Sequence, residues 1–176
     1  MKLRHLFFAC SGVFVMMFSL LLLVVIVFSD EEDGGSSENL IYGGVSISQE
    51  VLAHKPMLEK YAREYGIEEY LNVLLAIIQV ESGGTLEDVM QSSESLGLPP
   101  NSLSTEESIK QGCKYFSELL AAAETKGCDL NSVIQSYNYG GGFLDYVAGR
   151  GKKYTFELAE SFARDKSGGK KVTYTT

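Results

Sequence analysis

Tyr70-Leu71-Asn72-Val73-Leu74-Leu75-Ala76-Ile77-Ile78-Gln79-Val80 carries apolar side chains on every side of a helix, with Leu71, Val73, Leu74, Leu75, Ala76, Ile77, Ile78 and Val80 leaving no polar face. In a globular domain such a helix is buried at the centre, because no side of it gains from water. Gly83-Gly84 then predicts its end, since glycine takes up the left-handed backbone of a helix C-cap without strain. Between the apolar run and the glycines stand Glu81 and Ser82.

Elements on both sides also read as helices. Upstream, Val51, Leu58, Tyr61, Ala62 and Tyr65 recur at helical spacing, Pro56 marks a kink or a break, and Gly66 closes the segment. Downstream, Ser104 with Glu107 predicts a capping box opening a long helix whose stripe is Ile109, Cys113, Phe116, Leu120 and Ala123. Gly127 ends it. Asp129 caps a further helix bearing Val133, Ile134 and Tyr137, which Gly140-Gly141-Gly142 breaks, and short helices follow around 143–148 and 156–166. No segment alternates with the period of two that a half-buried strand needs, so the predicted class is all-α.

The front of the chain has a different character. From Leu6 to Phe28 no residue is charged, and these twenty-three residues, at about 1.5 Å each, span roughly 35 Å, enough to cross a hydrocarbon core of about 30 Å. Val27-Phe28-Ser29-Asp30 is a poor cleavage context, which favours an anchor over a removed signal. Lys2 and Arg4 precede the span and Asp30, Glu31, Glu32 and Asp33 come right after it, so the rest of the chain is expected outside the cytoplasmic membrane. The expected organisation is a cytoplasmic tail at 1–5, a single-pass transmembrane helix at 6–28, an acidic Gly/Ser-rich tether at 29–45 and a helical domain at 46–176.

The formal net charge is −8, which excludes a nucleic-acid partner, because phosphates demand a basic footprint. Recognition of an acidic polymer would then rest on hydrogen bonding and stacking. Cys10 falls in the apolar span; Cys113 and Cys128 read as small buried side chains more readily than as a disulfide. Two widely separated histidines, His5 and His54, give no zinc spacing, and the glycine run follows a helix where a phosphate loop would open one. No metal or cofactor is expected.

Three segments could carry chemistry. Glu81 sits at the carbonyl end of an apolar helix. Burial and the helix dipole both disfavour its charged form, as protonating a glycosidic oxygen near neutral pH requires, although a helix-end glutamate facing solvent is the plain alternative. Asp88-Val89-Met90-Gln91-Ser92-Ser93-Glu94 is dense in hydrogen-bonding side chains, and Ser136-Tyr137-Asn138-Tyr139-Gly140-Gly141-Gly142 offers aromatic faces beside an open backbone. Each could instead be an ordinary loop and an ordinary C-cap.

In this order, Glu81-Ser82, Met90-Gln91 and Tyr137-Asn138-Tyr139-Gly140 resemble the motifs of the goose-type lysozyme and soluble lytic transglycosylase superfamily. They are more similar still to the lysozyme-like domain of Gram-positive conjugative-element cell-wall hydrolases and of pneumococcal vaccine antigen A. Asp88-Val89 stands where the wider superfamily has Gly-Leu. The resemblance implies a lysozyme-like all-α domain from about Val45 onward. It implies Glu81 as general acid, and Gln91, Ser93, Tyr137 and Asn138 lining a sugar cleft. Asp88 and Glu94 are then the nearby carboxylates able to assist. Similar chains continue past Lys171-Val172-Thr173-Tyr174, so a shorter domain is expected here.

The implied activity is cleavage of the β-1,4 bond between N-acetylmuramic acid and N-acetylglucosamine in peptidoglycan, by hydrolysis or by lytic transglycosylation to a 1,6-anhydro product. In hydrolysis, a second carboxylate about 5 Å from the acid suits retention, and about 6.5–9.5 Å suits inversion. A non-catalytic, glycan-binding assembly factor of an envelope-spanning conjugation or secretion machine is the reading from another class.

Overall fold

The computed structural model describes residues 41, 42 and 45–167. The expected tail and transmembrane helix, and most of the expected tether, lie outside the described residues. Within them no helix is long and apolar enough to cross a membrane. Two short strands, β1 (Ile41–Tyr42) and β2 (Val45–Ser46), pair antiparallel with Ile41 opposite Ser46 and Tyr42 opposite Val45. The end of the expected tether is therefore ordered as a small ladder, in keeping with the strand preference of β-branched and aromatic residues.

Among the described residues, seven α-helices build the domain: α1 (Gln49–Ala53), α2 (Lys55–Glu64), α3 (Leu71–Ser82), α4 (Thr105–Lys126), α5 (Leu130–Tyr139), α6 (Gly142–Ala148) and α7 (Phe156–Lys166). Short 3-10 helices at Glu68–Tyr70 and Ser92–Leu96 join them. The break marked by Pro56 falls at His54, and Pro56 lies in the first turn of α2, where its missing N–H has no helical partner to lose.

The apolar helix is the centre, as its composition predicts: Val73 through Ile78 of α3 are all buried. α1 and α2 pack on one side of it, and α4 spans the domain, touching α2, α5, α6 and the Ser92–Leu96 helix. Glu107 takes the backbone N–H of Ser104 at 3.0 Å and its hydroxyl at 2.6 Å, closing the first turn of α4. Asp129 accepts the N–H of Ser132 at 3.0 Å, capping α5. α6 and α7 enclose a second small core in which the Phe143 and Phe162 rings lie 5.2 Å apart, edge to face.

Cys113 is buried in α4 and Cys128 is partly buried, and both are free thiols. Burial pushes the Cys113 thiol up to about 12, so it behaves as a small apolar group.

Candidate functional site

α3 runs two residues past the apolar run to Ser82, so Glu81 lies in its last turn, and Gly83 ends it with a φ of 60°. α1 clamps this end. The Ser48 N–H donates to Gln79 Oε1 at 2.8 Å, and His54 Nε2 donates to the Gly84 carbonyl at 2.9 Å. The approach is so close that a Cβ on Gly84 would sit 2.7 Å from the Val51 nitrogen, at a φ of +76°. Only glycine fits both demands. Ser82 ties the helix end to the next loop, its hydroxyl donating to the Val89 carbonyl at 2.7 Å while accepting the Gly84 N–H at 3.0 Å.

That loop is organised around Asp88, which is fully buried. Its carboxylate accepts from Ser92 N at 3.0 Å, Ser93 N at 3.2 Å and Ser108 Oγ at 2.6 Å. Ser108 also accepts the Met90 N–H at 3.0 Å, so α4 and the loop share one polar core. A buried carboxylate is tolerable here because charge-assisted hydrogen bonds replace its water. Gln91 is held in the left-handed region at φ 47°, a conformation a non-glycine residue keeps only when its surroundings fix it. Its Nε2 donates to the Asp88 carbonyl at 2.8 Å and to Asn101 Oδ1 at 2.7 Å.

The third wall comes from α5. The Tyr137 hydroxyl donates to the Met90 carbonyl at 3.0 Å, under the loop. Gly112 of α4 makes room for this bond: a Cβ there would lie 2.5 Å from Met90 Sδ and 2.9 Å from the Tyr137 hydroxyl.

These segments surround a groove of about 380 Å³ walled by Glu81, Gln91, Glu94, Tyr115, Tyr137 and Asn138, among others. Of the residues expected in a cleft, Glu81, Gln91, Glu94, Tyr137 and Asn138 meet there. Asp88 and Ser93 do not: both are fully buried beneath the loop, so a role for them at the cleft surface is corrected to one in its framework. Asp88 has its oxygens taken up by three donors and turns none of them to the groove.

The groove also gains Tyr115 and Leu98, which sequence reasoning does not single out, and Tyr139 and Gly140, which it reaches only as parts of a motif. Tyr115 flanks the buried stripe of α4 next to Phe116, and its ring lies 5.5 Å from that of Tyr137. An amphipathic reading stops at the stripe and treats such flanking residues as surface.

Glu81 is half-buried, and no described residue donates a hydrogen bond to its carboxyl. Its pKa is raised from 4.5 to about 8, first by burial, then by the negative charges of Glu94 and Asp88. A carboxylic acid that keeps its proton at neutral pH, open to a groove with a second carboxylate on its wall, can protonate a leaving oxygen. Glu94, exposed on the Ser92–Leu96 helix, is free to face solvent in that groove.

A model of the lysozyme-like family matches residues 48–176. The chain is 45% identical over 124 residues to the bifunctional muramidase/DL-endopeptidase CwlT of Bacillus subtilis, covering 70% of this chain and 37% of that protein. It is 33% identical over 118 residues to pneumococcal vaccine antigen A of Streptococcus pneumoniae, covering 66% and 58% respectively. A crystal structure from Staphylococcus aureus, described as similar to a lipoprotein of the NLP/P60 family, matches with a TM-score of 0.74 and 72% identity. That match covers 76% of this chain and 45% of the other. The chain thus spans only about a third to three fifths of the length of these relatives.

Proposed function

The chain belongs to the lysozyme-like family, and from that membership we propose that its groove cleaves peptidoglycan glycan strands as a muramidase, with Glu81 as the general acid. The observation that carries this reading is the place of Glu81, half-buried at the end of an apolar helix and facing a groove that also holds Glu94, where burial and like charge raise its pKa to about 8. A proton held at neutral pH passes to the oxygen between N-acetylmuramic acid and N-acetylglucosamine as that bond breaks, and an oxocarbenium-like charge develops on the muramoyl ring. Glu94, the second carboxylate on the groove wall, stabilises that charge and polarises the water that adds to the anomeric carbon. Tyr115 and Asn138 supply a ring face and an amide to hold the sugars, and the buried Tyr137 backs the Tyr115 ring.

Hydrolysis is favoured over closure of a 1,6-anhydro ring by the second carboxylate on the groove and by the muramidase named in the relative. A purely glycan-binding role is disfavoured, because a binding surface gains nothing from a carboxyl kept neutral. With the uncharged span Leu6–Phe28 as anchor, the reaction takes place outside the cytoplasmic membrane.

The test is incubation of the purified chain with isolated peptidoglycan and mass spectrometry of the products. Hydrolysis releases fragments one water heavier than anhydro products, and Glu81→Gln abolishes release. Full activity in Glu81→Gln refutes the assignment, and anhydro ends refute hydrolysis.

A further inference from the structure

Beside the groove, residues 94–102 form nine consecutive exposed positions carrying Leu96, Leu98, Pro99 and Pro100. Leu96 is 50% and Leu98 42% exposed, two of only four large apolar residues so open among those described. This lip is not slack. Gln91 holds Asn101 at 2.7 Å, and Gln111 Nε2 donates to Ser95 Oγ at 2.9 Å from α4. The Leu98 N–H donates to the Ser93 carbonyl at 3.1 Å, and Leu103 anchors the far end in the interior. A braced loop thus keeps an apolar tip in water, and through Gly97 and Leu98 that tip is continuous with the groove wall. Aliphatic side chains make poor platforms for sugar hydroxyls but pack well on methyl groups.

We propose that this lip determines specificity by packing on the lactyl-peptide arm of the muramoyl residue. The inference rests on reading the groove as a glycan cleft. A muramoyl unit bound beside Glu81 carries its arm out of the groove. The arm begins with the methyl groups of the lactyl and first alanyl units, the aliphatic chemistry that Leu96, Leu98 and the proline pair can cover. An ionic grip on the stem is not available: the groove wall includes Glu81 and Glu94 and, among the described residues, no lysine or arginine. With no cation to grip the stem, apolar packing on the lip adds to the hydrogen bonds that Gln91, Ser95 and Asn138 of the groove wall can make.

The experiment compares kcat/KM of the full chain on glycan strands bearing peptide stems with the same strands stripped of stems by an amidase. The wild-type ratio favours stem-bearing strands by about tenfold, roughly 1.4 kcal/mol. Leu96→Ser/Leu98→Ser brings the ratio toward one, while Leu86→Ser, a comparably exposed leucine away from the groove wall, leaves it where it was. Far-UV circular dichroism verifies that both variants are folded. A wild-type ratio near one, or a ratio unmoved in the double variant, overturns the proposal. If Glu81-dependent cleavage is seen on both substrates, the glycan-cleft reading survives that failure. A wild type that cuts neither substrate removes both.

Discussion

Replacing Glu81 by Gln should abolish cleavage and at the same time stabilise the fold, and the size of the gain should follow pH in a way that identifies the residue. In the folded chain Glu81 keeps its proton up to about 8, whereas its ordinary value is 4.5. Between those values the folded state binds a proton that the unfolded state has released, so the free energy of unfolding falls as pH rises. The favourable contribution is complete below 4.5 and is lost as pH climbs through 8. At pH 7 the gap of about 2.5 pH units, at about 1.4 kcal/mol each, sets an upper value near 3.5 kcal/mol. Water entering the open groove trims it toward about 2 kcal/mol. Glutamine has the shape of the protonated acid and no charge to desolvate, so the variant escapes this penalty.

Urea unfolding of wild type and Glu81→Gln, monitored by far-UV circular dichroism from about pH 4 to pH 9, gives the difference curve directly, and most other titrating groups cancel in it. The curve should start near zero at the acid end, rise through neutral pH and level off above about 8. A flat curve, or a wild type more stable than the variant at the alkaline end, would refute the argument that burial and like charge keep this carboxyl neutral. Activity lost together with stability gained is the pattern expected when a strained group is retained for its chemistry.

Cleavage by the wild type should hold through neutral pH and fall above about 8, where Glu81 loses its proton, as read from initial rates of peptidoglycan solubilisation. Asp88→Asn should destabilise the domain by about 1–3 kcal/mol in urea unfolding, because an amide cannot accept from all three buried donors. The same substitution should move that basic limb to lower pH, since it removes one of the charges that raise Glu81. Gly84→Ala should cost about 2 kcal/mol or more, measured the same way, through its positive φ and the collision with the α1 backbone. Gly112→Ala should cost about 1–3 kcal/mol by crowding Met90 and the Tyr137 hydroxyl, and should weaken cleavage by displacing the loop that carries Gln91.

The parts of this molecule that are legible in its residues are those fixed by local chemistry. Eight apolar residues at 71–80 require burial wherever the chain goes, and α3 is the centre. Glycines at 83, 127 and 140 end helices because their backbones take positive φ there. The caps at Ser104 and Asp129 follow from side chains that bind the next turn. Asp88 is not legible in the same way. As a carboxylate near Glu81 in the chain it has the credentials of a catalytic group. What turns it inward is Ser108, twenty positions away on α4, whose hydroxyl it meets at 2.6 Å. A partner at that distance leaves no local trace, since serine on an amphipathic helix reads as surface. Tyr115 escapes a sequence reading for the same reason.

The burial of Asp88 nevertheless reinforces the chemistry that its place in the chain suggests. Fixed beneath the loop, its charge stands against ionisation of Glu81, and the two backbone N–H groups it accepts set the turn from which Glu94 projects. Two carboxylates of like charge therefore act on one acid from different media. One is dry and saturated with donors; the other is wet and open to substrate. The dry one can only bias the proton, and the wet one can also polarise water. On the proposed reading, the serines at 92, 93 and 108 that saturate Asp88 hold up the site from beneath, as the groove residues form it from the wall.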